Sequence, residues 1–299
     1  MLSDEKILIT GPAGRIAFGL ARSLATDNEV WGVARFSDPA DRAKVEALGV
    51  RAYQADIASG DFGDLPTDFT YLLHLAADFS PNDYDRALTV NAEGTGFVLQ
   101  HCRHANAALV MSTVTTYKPH PDPWHPFRED APLGDAMAPP SAPYSVSKIA
   151  QEAVARYCAR SFGLPVTIAR MCAAYGDQGG LPVWHLQAIA AGQPITTRWD
   201  PMPYSPIHND DICAQVEPLL DAASVPATIV NWGGDEPVSV QQYAAFAGEL
   251  LGVEPTVIVN EIPGASRGSV ADHTKRLSIT GPCQVNWRDG FRQILEETR

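Results

Sequence analysis

A tyrosine and a lysine spaced for one face of a helix are the first residues in this sequence that could do chemistry. Tyr144 and Lys148 stand four residues apart at the start of a helical pattern that runs over Tyr144–Phe162. An ammonium group beside a phenol favours the phenolate, so the phenol could pass a proton to or from a substrate oxygen. The same spacing occurs by chance in many helices, and its weight depends on what precedes it.

What precedes it is a glycine-containing turn between a strand-like segment, Lys6–Thr10, and a helical stretch, Arg15–Ala25. Gly11 permits a tight turn, and Gly14 lets the backbone approach a pyrophosphate whose charge the helix N-terminus favours. An ordinary strand-to-helix turn is the alternative. The pattern predicts that a dinucleotide is contacted by Gly11, Ala13, Gly14, Arg15 and Ile16.

The residues after the second predicted strand, Glu29–Ala34, bear on which dinucleotide binds. An NAD site usually has an acid about 20 residues beyond the glycines. This chain has Arg35 there, and its first carboxylate after the strand is Asp38. A guanidinium at Arg35, with Arg15 as a second candidate, suits a 2′-phosphate, although a solvated strand end is the alternative. The pattern favours NADP(H), with NAD as the other possibility.

Strand-like and helical segments alternate through the first half of the chain, which predicts a doubly wound α/β (Rossmann) fold with a parallel sheet. We expect residues 1–171, with later strands from about 205–233, to form the dinucleotide-binding domain. Residues 172–204 and 234–299 would form a smaller C-terminal substrate-binding lobe. The other predicted strands are Val50–Gln54, Thr70–Leu75, Ala108–Ser112, Pro165–Ala169 and Thr228–Asn231, and the other predicted helices are Asp83–His104 and Val240–Leu251.

Composition excludes several classes of function. The 22 basic and 35 acidic residues give a net charge of −13, which argues against a nucleic-acid or anionic-membrane surface. No apolar run approaches the ~18 residues of a spanning helix. The five cysteines are scattered and form no CxxC pair, so we expect neither disulfides nor a bound metal. The opening MLSDEK does not resemble a secretory signal, and we expect a cytoplasmic protein.

Taken together, short motifs along the chain resemble the extended short-chain dehydrogenase/reductases, the NAD(P)-dependent epimerase/dehydratase family. They follow the family's order over nearly the whole chain. The resemblance implies an enzyme, and a homodimer formed through the helices Asp83–His104 and Tyr144–Phe162. The matching segments are TGPAGRIA (10–17), DI (56–57), HLAA (74–77), NAEGT (91–95), MST (111–113), YSVSK (144–148), RMCAAYG (170–176), IHNDDI (207–212) and NWGG (231–234).

The resemblance also implies roles for individual residues. Thr113 would bind the substrate oxygen, with Ser112 as the neighbouring candidate. Tyr144 would be the acid/base, and Lys148 would bind the nicotinamide ribose and tune the phenol. Asn91 would brace the active-site helix, unless it is only a helix cap or turn residue, and His74 is best interpreted as a core histidine. Further cofactor contacts would come from Asp56, Ile57, Leu75, Ala76, Ala77, Met171 and Ala173.

Departures from the family pattern bear on the substrate. Tyr204 stands where sugar-nucleotide enzymes have an arginine, Cys172-Ala173-Ala174 lacks their asparagine, and Val114-Thr115 replaces the acid pair of dehydratases. We therefore expect an NADP(H)-dependent oxidoreductase for a small, partly hydrophobic alcohol and its carbonyl compound. A sugar epimerase that keeps its cofactor bound is the alternative, and a silent NADP-sensing scaffold is a third. The predicted substrate contacts are Asp78, Phe79, Thr115, Tyr175, Trp184 and Tyr204.

Overall fold

The computed structural model describes residues 2–80, 82–134 and 142–297. Thirteen β-strands and ten α-helices lie within these ranges. The strands are β1 (Lys6–Thr10), β2 (Glu29–Ala34), β3 (Arg51–Gln54), β4 (Tyr71–His74), β5 (Ala107–Thr113), β6 (Val166–Met171), β7 (Ala173–Tyr175), β8 (Ile195–Thr197), β9 (Pro203–Tyr204), β10 (Pro206–His208), β11 (Thr228–Trp232), β12 (Val238–Ser239) and β13 (Val257–Val259). The helices are α1 (Arg15–Leu24), α2 (Pro39–Glu46), α3 (Tyr84–Leu88), α4 (Gly94–His101), α5 (Ala142–Phe162), α6 (Leu181–Ala190), α7 (Asn209–Asp221), α8 (Val240–Leu251), α9 (Thr274–Thr280) and α10 (Trp287–Glu297).

Seven of the strands form one sheet in the order β11-β6-β5-β4-β1-β2-β3. The pairs of β1 with β2, β1 with β4, β2 with β3 and β4 with β5 are parallel. The strand order reverses between β1 and β4, and ligands of such sheets bind outside the carboxyl ends of the strands at this point. The predicted doubly wound Rossmann fold is confirmed.

The central strands are continuous apolar runs because both faces of a parallel sheet are covered. Every residue of β5 is buried, as are the last four of β1. Each of five neighbouring strands sends at least one apolar side chain into the same buried cluster, which packs the sheet against its helices. These side chains include those of Leu8, Val33, Leu72, Val110 and Ile168.

The long helix predicted over Asp83–His104 is wrong as a single α-helix. The structure has α3, then a π-helical turn over Thr89–Glu93, then α4. The Thr95 hydroxyl donates to the Asn91 carbonyl oxygen at 2.6 Å, so a side chain competes for a carbonyl of this turn. Helical turns of this wider kind often occur at functional sites.

The chain divides into two compact units, whose bounds differ from the predicted domains. The segment that holds Tyr117 and Phe127 groups with the second unit, where the Tyr117 hydroxyl donates to Asn231 Oδ1 at 2.6 Å and Asn231 Nδ2 donates to the Phe127 carbonyl oxygen at 2.8 Å. The first unit comprises Met1–Thr113, Pro140–Arg170 and Cys213–Val230, and the second comprises Val114–Pro139, Met171–Ile212 and Asn231–Arg299. In the described part of the chain, no helix has both the length and the apolar character needed to cross a membrane.

A glycine in β2 sets how closely the turn after β1 can pack on the sheet. A Cβ atom added at Gly32 would lie 2.7 Å from Pro12 Cγ. We therefore expect Gly32→Ala to lower the free energy of unfolding by about 1–3 kcal/mol, the usual effect of overpacking. Denaturant titration monitored by circular dichroism measures it.

The control for this change is the double variant Gly32→Ala/Pro12→Ala, which removes the ring that the new methyl group meets. Its stability should exceed that of Gly32→Ala alone. Equal stability of the two variants would contradict close packing at this point.

Candidate active site

The structure brings Tyr144, Lys148 and Thr113 together at the carboxyl end of β5. The Thr113 side chain is hydrogen-bonded to the Tyr144 phenol. One helical turn further along α5, Lys148 Nζ lies 5.8 Å from the centre of the Tyr144 ring and donates to the Met111 carbonyl oxygen at 2.7 Å. A phenol between a hydroxyl and an ammonium group can transfer a proton to or from an oxygen atom.

Burial dominates the electrostatics of these groups. It raises the pKa of Tyr144 above its usual value, while the Thr113 hydrogen bond and the Arg15 guanidinium lower it. Burial also lowers the pKa of Lys148 to about 7, against the opposing effect of the Glu152 carboxylate. Relative to the same groups in water, Lys148 therefore loses its proton more readily and Tyr144 loses its proton less readily.

Asn91 connects three parts of the site from its place in the π-helical turn. Its Nδ2 donates to Ser147 Oγ at 2.9 Å and to the Asp78 carbonyl oxygen at 2.9 Å. Its Oδ1 accepts from the Asp78 amide at 2.7 Å. Ser147 Oγ in turn donates to the Tyr144 carbonyl oxygen at 2.8 Å. Asn91 thus holds both the start of α5 and the loop after β4.

Ser112 does not lie beside the phenol as its neighbour Thr113 does. Successive residues of a strand point to opposite faces, and Ser112 Oγ donates to Glu152 Oε1 at 2.6 Å. The same carboxylate accepts from Arg170 Nε at 2.9 Å and from Arg170 Nη2 at 2.7 Å. The sequence-based placement of Ser112 as a catalytic candidate is therefore corrected, because its hydroxyl serves this buried ion pair.

His74 is a core histidine with both ring nitrogens hydrogen-bonded. The Thr95 hydroxyl donates to the Asn91 carbonyl oxygen. Its oxygen therefore accepts from His74 Nε2–H at 2.7 Å. His74 Nδ1 accepts from the Thr10 hydroxyl at 2.9 Å. Burial lowers the pKa of His74 to about 3, with Lys148 acting in the same direction. The imidazole is neutral, and the structure agrees with its interpretation from sequence.

The glycine turn has the geometry of an anion site. Gly11 has φ +65°, in the left-handed region, and a side chain at that position would meet the Ala76 backbone 3.2 Å from its Cβ atom. Gly14 is the N-cap of α1 and brings no capping side chain, and the N-terminus of a helix favours a negative charge. The turn is anchored by Thr10 Oγ1, which accepts from the amides of Leu75 and Ala76 at 2.9 Å each.

The residues after β2 include an exposed arginine and an aspartate that caps the next helix. Arg35 is exposed immediately after the strand. Asp38 caps α2, accepting from the Ala40 amide at 2.9 Å, and is therefore engaged in starting a helix. Phe36 between them has φ +44°, an uncommon conformation for a residue with a side chain.

The other predicted cofactor contacts differ in exposure. Asp56 is exposed and caps a short 3₁₀ turn, whereas the Ile57 side chain is buried against Gly94. The remaining residues are half-buried or buried and comprise Ala13, Ile16, Leu75, Ala76 and Ala77 in the first unit, and Met171 and Ala173 in the second.

Of the predicted substrate contacts, Asp78 and Phe79 lie in the first unit. The Asp78 carboxylate is paired with Arg86 Nε at 2.8 Å and accepts from the Ser80 amide at 2.7 Å, so it orders its own loop. Phe79 stacks on the Tyr144 ring with centroids 4.5 Å apart, yet 60% of its surface stays exposed. An apolar ring therefore covers one face of the phenol.

The other four predicted substrate contacts belong to the second unit. Tyr175 is a core residue there, packed edge-on to His208 and Phe291, which corrects its placement as a substrate contact. Tyr204 is hydrogen-bonded by Arg198, and burial raises its pKa. Trp184 is about half-exposed on α6, and Thr115 is half-buried in a short 3₁₀ turn.

Three residues at this site escape the sequence analysis. Arg86 and Arg170 pair with acids that are distant in sequence or on another element, which no local pattern shows. Glu152 did carry a signal, because it follows Lys148 by four residues and so continues the face that holds Tyr144.

Comparison with known proteins places this geometry in a family. The model of the NAD-dependent epimerase/dehydratase family matches residues 7–197. Among curated relatives, a trifunctional UDP-glucose 4,6-dehydratase/3,5-epimerase/reductase of Arabidopsis thaliana is 24% identical over 98% of this chain and 47% of its own length. A probable dTDP-glucose 4,6-dehydratase of Sinorhizobium fredii is 30% identical over 57% of this chain and 54% of its own. The chain thus spans about half the length of these relatives.

Solved structures agree on the fold. The Bacillus cereus UDP-glucuronic acid 4-epimerase, in complex with UDP-glucuronic acid and NAD, has a TM-score of 0.84 at 22% identity over 98% of both chains. A dTDP-glucose 4,6-dehydratase from Streptomyces venezuelae with NAD bound has a TM-score of 0.81 at 22% identity, covering 97% of this chain and 96% of that one. With the family match spanning well over half of its residues, the chain belongs to the NAD-dependent epimerase/dehydratase family of extended short-chain dehydrogenase/reductases.

Proposed function

We propose that this protein is a nicotinamide-dependent sugar epimerase, which keeps its cofactor bound and oxidises and re-reduces one hydroxyl-bearing carbon. The observation that carries the proposal is the grouping of Tyr144, Thr113 and Lys148 at the end of β5. The relatives named above, several of which are epimerases or dehydratases of nucleotide sugars, support this choice over a simple dehydrogenase.

In this proposal the chain's own residues move and hold a proton. The Tyr144 phenolate removes the proton of the substrate hydroxyl as that carbon is oxidised, and returns it when the carbonyl is reduced. The Thr113 hydroxyl orients the same oxygen, and the Lys148 ammonium stabilises the phenolate. Phe79 excludes water from one face of the Tyr144 ring.

The glycine turn fits the cofactor, because it combines a helix N-terminus that no side chain caps with a backbone cradle that a side chain at Gly11 would fill. The pyrophosphate would lie at Gly11, Ala13, Gly14 and Ile16, and Lys148 would contact the nicotinamide ribose. When bound, the nicotinamide accepts and returns the hydride. We assign cofactor binding to the first unit.

A net oxidoreductase acting on a small, partly hydrophobic alcohol is the second candidate. It is favoured by Tyr204, which stands in the place of the arginine of sugar-nucleotide enzymes and is already hydrogen-bonded to Arg198. Trp184, half-exposed on α6, would add an apolar wall for such a substrate. Dehydration is not proposed, because Val114 and Thr115 replace the acid pair that it needs.

Epimerisation of a nucleotide sugar tests the proposal. Incubation with UDP-glucuronic acid or UDP-glucose should produce the 4-epimer, detected by proton NMR, without net reduction of added NAD or NADP. Tyr144→Phe should lower turnover by about 10²–10⁴-fold while bound cofactor is retained, because only the proton-transfer group is lost.

Tyr157→Phe is the matched control, since Tyr157 is an exposed tyrosine of the same helix, and its turnover should equal wild type. Net reduction of NADP by small secondary alcohols, without epimerisation, would assign the second candidate instead. Wild-type activity in Tyr144→Phe would contradict both.

We further propose that the cofactor is NADP(H), because Arg35 is exposed at the end of β2 while Asp38 is engaged as a helix cap. Arg35→Ala should weaken NADP binding at least about tenfold relative to NAD, since only NADP has the 2′-phosphate. Calorimetric titration with both dinucleotides measures the change. Arg42→Ala on α2 is the control, because it removes the same charge from another place and should leave the preference between NADP and NAD unchanged. The B. cereus and S. venezuelae structures contain NAD, and a wild-type preference for NAD would overturn this assignment.

A homodimer is proposed from an exposed aromatic face on the first unit. Tyr84 of α3, Phe97 of α4 and Tyr157 of α5 are all exposed, and α3 and α4 both contact α5. Apolar faces of this kind mark protein interfaces. Sedimentation at micromolar concentration should give a dimer that Tyr157→Asp dissociates, whereas Val253→Asp in the second unit leaves it intact. A monomeric wild type would contradict the proposal.

A further inference from the structure

The Lys148 ammonium is buried in a way that needs a counter-charge. Only 2% of the residue's surface is exposed, and its Nζ donates to the Met111 carbonyl oxygen. Removing an ammonium group from water is costly, and one carbonyl oxygen does not offset that cost. The protonation state of Lys148 therefore depends on charged groups around it.

The nearest negative group in sequence is Glu152, one turn further along α5. Tyr144, Lys148 and Glu152 follow each other at four-residue intervals, so they share one face of the helix. The carboxylate of Glu152, a residue only 3% exposed, accepts hydrogen bonds from the Ser112 hydroxyl and from two nitrogens of Arg170. These donors fix the carboxylate group in place.

Arg170 decides how much of that negative charge reaches Lys148. It is 2% exposed on β6 and pairs with both carboxylate oxygens of Glu152. With Lys148 protonated, the three groups sum to one positive charge, and a Tyr144 phenolate would bring the sum to zero. An unpaired Glu152 would instead neutralise Lys148 and leave the phenolate without a counter-charge.

We propose that Glu152 and Arg170 act together as positioning residues that set the charge of Lys148 and, through it, of Tyr144. Neither contacts the reacting atoms in this arrangement. Arg170 without Glu152 would favour loss of the Lys148 proton. Glu152 without Arg170 would cancel the charge of the Lys148 ammonium group. The pairing of the two residues prevents both outcomes. The role in turnover rests on the proposed function, whereas the effect on Lys148 does not.

The other charged and titratable groups near Lys148 and Tyr144 are neutral, paired with another residue or exposed. His74 on β4 is neutral, and Arg15 on α1 acts on Tyr144. Asp78 is paired with Arg86 on the loop and helix that precede the π-helical turn. The exposed titratable groups of the helical segments packed against α5 are Tyr84, Asp85, Arg86 and Glu93.

The test measures the pKa of Lys148 directly, by NMR of the protein labelled with ¹³C at the lysine ε-carbons. The chain has five lysines, and the signal absent from Lys148→Met identifies the buried one. Glu152→Gln should lower the pKa of Lys148 by about one pH unit or more, because Arg170 is then uncompensated. Arg170→Gln should raise it by a similar amount, and the double variant should return it close to wild type.

Ser112→Ala is the matched control, since it removes a hydrogen bond to the same carboxylate without changing any charge. Its Lys148 pKa should stay close to wild type. If Arg170→Gln does not fold, Glu152→Gln and the double variant still decide, because the pKa must fall in one and recover in the other. If the pKa of Lys148 does not change, or changes in the same direction in both folded single variants, the inference is overturned. Glu152 and Arg170 would then have only a structural role.

The NMR result is independent of turnover. If no substrate turns over, the proposed function fails while the charge measurement still stands. If turnover is found, the pH at which it rises should move in opposite directions in the two single variants. Equal losses of turnover without such movement would contradict the positioning role.

Discussion

The burial of an ammonium group beside a phenol is the constraint on which the polar structure of the first unit depends. Lys148 and Tyr144 lie where α5 meets the end of β5, and the Lys148 side chain is almost completely buried there. Protein groups make the polar contacts of the two residues, and the Met111 carbonyl oxygen and the Thr113 hydroxyl are both supplied by β5. The strand that ends at the site thus provides its polar contacts as well as its support.

A second consequence is that the hydrogen bonds around the site form one connected set. Thr10 at the end of β1, His74 at the end of β4 and Thr95 on α4 are linked side chain to side chain, and the Thr95 hydroxyl donates to the Asn91 carbonyl oxygen. Because each donor in this series of hydrogen bonds has one acceptor, the neutral tautomer of His74 and the direction of each bond are determined. The glycine turn and the start of α5 are therefore held by the same network, although they are far apart in sequence.

The sequence predicted what depends on local spacing. The bounds of β1, β2 and α8 are as predicted, since apolar runs and helical periodicity specify them. The pairing of Tyr144 with Lys148 follows from four-residue spacing, and the fold from strand and helix alternation. Contacts between distant residues were not predictable: Tyr175 as a core residue, Ser112 on the Glu152 carboxylate, and the loop of Tyr117 in the second unit each depend on a partner that no local pattern shows.

Phe79 has an energetic consequence for whatever binds next to Tyr144. Its ring is held against the phenol but leaves 60% of its surface in water. For an aromatic side chain of roughly 200 Å², covering that part would remove about 120 Å² of apolar surface from solvent. At about 25 cal/mol per Å², the gain is about 3 kcal/mol, or roughly a hundredfold in affinity. A ligand with an apolar face toward this ring gains that affinity, and a uniformly polar one does not.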